Sequence, residues 1–287
     1  MYDMYCLVKR HTLKFLRDKT AVFFSFLSIL ILLALYFLFI GRQYTSDLEG
    51  VSDELKIFIS VGVIMGGVLV INTVSLSLGV MGNVITDLEY KKLDAFLVTP
   101  IKRYKIILSY YLTSILVTST LTLVMWGLTI LYVGIFSGYW YAFSTIIKVS
   151  GLIVFFTFIS ATLMIFLTTL LKSVNAFGTL SGVLGTLIGF ISGIYMPLFV
   201  LGQSMSYVAS VVPFTHMTIL LKNVMLAEPY AELPVQMVSE IEIFYGTVEI
   251  GVLGQTVSMP WIMIGSLALG FILLYFSYRN MSKKIGQ

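Results

Sequence analysis

Asp87, Glu89 and Asp94, followed by Lys102, Arg103 and Lys105, share one charged stretch, ITDLEYKKLDAFLVTPIKRYKIILSYY, at residues 85–111. Acids ahead of an apolar turn with bases behind it make or break no bond by themselves; the chemistry they suit is electrostatic docking. Leu93, Phe96 and Leu97 fall at i, i+3 and i+4, which predicts a short amphipathic helix ended by Pro100. Carboxylates on its early turns suit a helix N-terminus or the basic residues of a partner, and the bases suit lipid headgroups. Spacing alone leaves a plain connector open as the alternative.

A second constellation occupies residues 192–226, where Gly193, Pro197, Pro213, Thr215 and His216 punctuate an apolar stretch. Backbone groups freed by the prolines must find partners inside the protein, which favours a broken or re-entrant element over a straight lipid-facing helix. His216 reads as a hydrogen-bonded structural histidine in preference to a proton-sensitive or substrate-contacting one. Gly178, Gly182, Gly185 and Gly189 form a smooth helical stripe where a neighbouring helix, in the bundle or in a second subunit, can approach closely.

Bond-breaking machinery is missing from the motifs. There is no G-x-x-x-x-G-K-[ST] phosphate loop, no H-E-x-x-H pair and no G-x-S-x-G elbow. The apolar segments are almost without the clustered His, Asp or Glu that a metal requires. The chain is therefore expected not to be an enzyme by itself and to bind no cofactor or metal.

The elements that must position these residues follow from composition. Hydrophobic residues make up 58% of the chain and charged ones only 11%, with a mean hydropathy of +0.97. Soluble domains carry about 25% charged residues, so the solvent for most of this surface is a bilayer. Spans are predicted at about 20–40, 56–84, 105–134, 142–171, 175–200 and 258–278, each able to cross roughly 30 Å of hydrocarbon. The expected fold is an all-α membrane protein of six transmembrane helices in one domain over 1–287. It has an amphipathic interfacial helix at 1–19, a cytoplasmic loop at 85–104, and an outer loop at 201–257 holding the re-entrant segment. The first apolar stretch is too long for a cleaved signal peptide and is read as a retained span.

Charge sets the expected orientation. Of the 18 Lys and Arg residues, the N-terminal segment, the 85–104 loop and Lys105, Lys172, and the C-terminal Arg279, Lys283 and Lys284 share one face, leaving Arg42, Lys56, Lys148 and Lys222 opposite. Both termini are therefore predicted to be cytoplasmic, in the plasma membrane. Dispersal of the bases at span ends argues against nucleic acid despite the net charge of +4. The single Cys6 allows no intrachain disulfide. Tyr139, Trp140 and Tyr141 suit an outer interfacial anchor, while Asn72, Thr73, Ser75 and Ser77 suit contacts between helices, with lining of a path as the alternative.

These residues resemble the type-2 permeases, the transmembrane subunits of ATP-binding-cassette exporters. Asp87, Glu89, Leu93, Asp94, Phe96, Thr99 and Pro100 fall in register with that family's loop after its second span. Lys91 and Lys92 depart from it, standing where relatives have Gly-Thr. Gly193, Pro197, Pro213 and Thr215 resemble the family's pattern after span five. The resemblance implies a dimer of permease subunits, homo- or heteromeric, in membrane lipid. It also implies that each subunit contacts a separate ATPase, which holds ATP and Mg, through the N-terminal helix and the 87–100 loop.

A hydrophobic or amphipathic cargo (drug, lipid, peptide or glycan) moved outward is the expected activity. An ion-coupled secondary transporter or channel, and a non-transporting assembly or immunity protein, stay open as alternatives at this point.

Overall fold

A computed structural model describes residues 2–20, 22–23, 27, 48, 50–193 and 202–284. The chain is helical: α1 (Tyr2–Arg17), α2 (Asp53–Glu89), α3 (Asp94–Leu97), α4 (Arg103–Ser137), α5 (Phe143–Leu170), α6 (Val174–Ile191), α7 (Gln203–Val211), α8 (Pro213–Ala231), α9 (Val235–Tyr245) and α10 (Met259–Lys284). Five of these, α2, α4, α5, α6 and α10, are long and apolar enough to cross a membrane, with the bent α7–α8 pair a sixth by the same measure. Most of the predicted span at 20–40 lies outside the described residues.

The centre of the bundle is α2. It packs against α4, α5, α6 and α8, and is apolar all round because it has no face left for solvent or lipid. At 1.5 Å per residue α2 is about 55 Å long and α4 about 52 Å, well beyond the roughly 30 Å of hydrocarbon, so both project past the membrane. Side-chain hydrogen bonds tie α2 to its neighbours: Asn72 Nδ2 donates to Thr122 Oγ1 at 3.1 Å, and the Thr73 and Ser160 hydroxyls meet at 2.9 Å. Such bonds between membrane helices contribute about 0.6 kcal/mol each. The polar residues of α2 thus serve helix packing.

Glycines bring α8 onto α2. A Cβ at Gly66 would lie 2.6 Å from Lys222 Cγ and 3.1 Å from its Cα, and one at Gly62 would lie 2.8 Å from Leu226 Cδ2. The pairs are spaced four apart on both helices, so the two backbones run together along a seam that only hydrogen atoms fit.

The segment predicted as the 201–257 loop contains three helices. α7 and α8 meet at Val212 with a bend of 88°, and Pro213 occupies the first turn of α8, where its missing N–H costs nothing. At the far end of α8, the Glu228 carboxylate accepts from the Ala142 N–H at the start of α5.

Candidate functional site

The site forms where α1 meets the projecting ends of α2 and α4. α1 follows the beginning of α4: Asp3 pairs with Lys105 at 2.6 Å, His11 stacks on Tyr110 with ring centroids 3.8 Å apart, and Phe15 packs with Val117 and Val80. Leu7, His11 and Phe15 are the buried stripe, spaced four apart as one helical face requires. The helix predicted to lie in the interface thus turns the Leu7–His11–Phe15 face to the protein. Tyr2, Tyr5, Leu13 and Leu16 form the exposed one.

Asp87, on the last turn of α2, is fully buried and is the node of the cluster. Its Oδ1 accepts from Lys14 Nζ at 2.7 Å, and its Oδ2 accepts from Tyr110 Oη at 2.7 Å and from Arg10 Nη1 at 3.4 Å. A buried carboxylate is tolerated only when its charge and lone pairs are matched, and three donors from two helices do that here. His11 sits in the same cluster, and burial, helped by the Arg10 and Lys14 charges against an opposing pull from Asp87, pushes its imidazole down to about 3. It is neutral, and Arg10 Nη1 lies 3.1 Å from its Nδ1. At the edge, the Lys105 ammonium holds the Asp3 carboxyl below the usual carboxylate range.

Arg10 also links the node to α3. Its guanidinium carbon lies 4.9 Å from the centroid of the Phe96 ring. α2 ends with Lys92 N–H donating to Asp87 O and Lys91 N–H to Leu88 O, the Schellman pattern, with Lys91 at φ +52° in the position glycine usually takes. Leu93 is buried beneath the turn. After α3 the Thr99 hydroxyl and N–H both donate to Phe96 O, and Pro100 prevents a further turn. Val98 is 87% exposed, and Thr99, Pro100, Lys91 and Lys92 are exposed with it.

The family model of ABC-2 type transporters matches residues 2–226, from α1 into α8. The chain belongs to the ABC-2 type transporter family. It is a multi-pass membrane permease subunit of an ABC transporter, and membership implies an ATPase partner subunit. No curated protein matches the chain.

In this ABC-2 permease the residues picked out in the 87–100 stretch do different jobs. Asp87 is turned inward and spent on Lys14, Arg10 and Tyr110. Glu89 is exposed and accepts from the Val174 N–H, placing a carboxylate at the positive end of α6. Leu93 and Phe96 anchor the turn, Asp94 opens α3, and Thr99 and Pro100 close it on the exposed side. The sequence pattern did not reveal Arg10, Lys14 and Tyr110 as the partners of Asp87, nor His11 as the ring stacked beside them. The four-residue spacing of Leu7, His11 and Phe15 was the available signal that α1 docks onto protein.

The residues of the 192–226 stretch of the ABC-2 permease are also brought together in part. Gly193 follows α6 at φ +69°, and Thr215 Oγ1 donates to Ile191 O at 3.2 Å, tying α8 to the end of α6. His216 is buried with Nε2 donating to Ser210 O at 2.7 Å, across the α7–α8 bend. Pro197 lies outside the described residues. Gly178, Gly182 and Gly185 face open space, with no described atom within 4 Å of a Cβ built there. Gly189, the last of the stripe, is buried, and α8 approaches α2 closely at Gly62 and Gly66. Among the described residues, no three His, Cys, Asp or Glu side chains gather as a metal ion would need.

Proposed function

We propose that this permease moves a hydrophobic or amphipathic substrate outward, driven by ATP and Mg bound on the partner ATPase, and that the exposed turn around Val98–Pro100 is what the ATPase pushes. The observation that carries the reading is the mounting of that turn. Arg10 touches both the Phe96 ring and the Asp87 carboxylate, and Asp87 belongs to α2, the helix in contact with most of the bundle. A displacement of α3 is passed to α1 and α2 together, and α2 moves against α4, α5 and α8 as a packed element. Both termini lie on the cytoplasmic side in this reading, as the distribution of Lys and Arg favours. The open glycine face of α6 is where a second permease subunit packs.

The test is a Val98→Glu variant of the full chain, isolated from its native membrane with its partners. The exposed position leaves folding intact, so the variant inserts and reaches normal abundance but recovers no ATPase subunit and exports nothing. Wild-type recovery of the ATPase together with unchanged transport would remove the turn from the contact.

A further inference from the structure

A groove of about 310 Å³ opens between the beginning of α4 and the end of α10, away from the Asp87 cluster. Tyr104, Ile107 and Tyr111 form one wall; Phe271, Tyr275 and Tyr278 form the other. Its floor is buried at Ile107 and Tyr111, and its rim is open, with Tyr275 62% and Phe271 57% exposed. The Tyr111 hydroxyl is engaged with Thr162 at 2.8 Å, so the floor offers only its ring, and the lining is apolar up to the phenols of the rim. Most of α10 is exposed along its apolar length, which puts the groove on the bilayer side of the bundle.

By helical register one arginine adjoins each wall of the groove. Arg103 precedes Tyr104 by one residue and Ile107 by four, and Arg279 follows Tyr278 by one and Tyr275 by four. Both are exposed, and among the described residues neither has an ion-pair partner, whereas the neighbouring Lys105 is paired with Asp3. A cleft at the small end of the roughly 300–1,000 Å³ range of ligand sites suits a single hydrocarbon chain. Tyrosines mark headgroup depth, and a guanidinium takes a phosphate in bidentate fashion. A second copy of this basic chain would bring like charge to the same groove; an anionic lipid brings the opposite charge.

We propose that the α4–α10 groove binds one anionic glycerophospholipid, with an acyl chain along the tyrosine-lined walls and the phosphate at Arg103 and Arg279. The site is separate from the ATPase contact and does not depend on it. Purified full-length chain in detergent, offered dioleoyl phosphatidylglycerol or dioleoyl phosphatidylcholine at equal ratio, is examined by native mass spectrometry. One phosphatidylglycerol is retained with roughly tenfold preference, the preference falls to near parity in Arg103→Gln/Arg279→Gln, and Lys19→Gln keeps it. The single Arg279→Gln change, on an exposed surface, lowers the preference part-way and guards against a folding defect in the double variant. Equal retention of both lipids by wild type, or an undiminished preference in the double variant, would overturn the proposal and leave only unselective lipid contact.

Discussion

Lys222 on α8 crosses Gly66 on α2 so closely that a methyl group at Gly66 would fall 2.6 Å from Lys222 Cγ and 3.1 Å from Lys222 Cα. Backbone, not only the end of a flexible side chain, bounds the space. The stem of Lys222 runs on through the core to donate from Nζ to Tyr245 O at 2.9 Å, at the C-terminus of α9, where a cation is favoured by the helix dipole. One glycine thus lets a buried ammonium reach the end of α9.

Gly66→Ala should therefore destabilise the protein by about 1–3 kcal/mol, the usual cost of overpacking a filled core. Thermal unfolding of the purified chain, followed by the loss of helical circular dichroism, would measure it. An unchanged midpoint would mean that the α2–α8 seam relaxes freely.

Gly182→Ala is the contrasting change. With no described atom within 4 Å, it should stabilise the isolated subunit by up to about 1 kcal/mol through helix propensity. If a second permease packs on this face, Gly182→Leu should weaken association in cross-linking while the monomer keeps its unfolding midpoint. Both variants cross-linking as wild type does would take the dimer contact away from α6.

Asp87→Asn keeps the shape and an acceptor for Tyr110 but strands the Lys14 and Arg10 charges. Loss of one member of a fully buried pair costs about 3–5 kcal/mol. Lys14 and Arg10 have side chains 29% and 38% exposed, so water recovers part of that and about 1–2 kcal/mol is expected. The loss should show as faster proteolysis after Arg17, with Lys14→Met/Asp87→Leu partly restored.

Lys91→Gly should be neutral or stabilising by up to about 1 kcal/mol, because glycine adopts a positive φ freely and a lysine at +52° does not. The backbone of this turn is the one glycine adopts most readily at the end of a helix. Destabilisation by more than 1 kcal/mol would show that the Lys91 side chain holds something the backbone geometry does not require.

His11 gives a pH dependence whose sign is fixed. Its folded value, about 3, lies below the ordinary 6.5, so the unfolded chain binds the extra proton. The docking of α1 is at full strength above about pH 6.5 and weakens as pH falls through the window towards 3. Arg10 and Lys14 add to the penalty for a charged imidazole, and Asp87 opposes it. His11→Phe keeps the stack on Tyr110 and should flatten the change in α1 proteolysis between pH 7 and about pH 5. Equal slopes in both proteins would assign the dependence to another group.

The long apolar elements were legible because a membrane span is a property of a contiguous segment. The spans expected at 105–134 and 142–171 are the helices Arg103–Ser137 and Phe143–Leu170. The break before Pro213 was legible for the same reason, since proline acts locally. What could not be read was which charges meet. Lys14 and Asp87 are 73 residues apart, and each alone looks like a solvated or headgroup charge. Nor could the packing glycines be chosen: Gly62 and Gly66 are spaced four apart much as the α6 glycines are, and a helix apolar all round carries no mark of which face turns inward.

The Gly62–Gly66 seam also orders events during synthesis. α2 leaves the ribosome early, whereas Lys222 and Leu226, which cover its two glycines, belong to the last third of the chain. Until α8 arrives, the central helix sits in the bilayer with a bare groove of backbone facing lipid. Insertion and maturation are then distinct stages, since a nascent chain stopped before residue 213 has its central helix but not the residues that cover the two glycines.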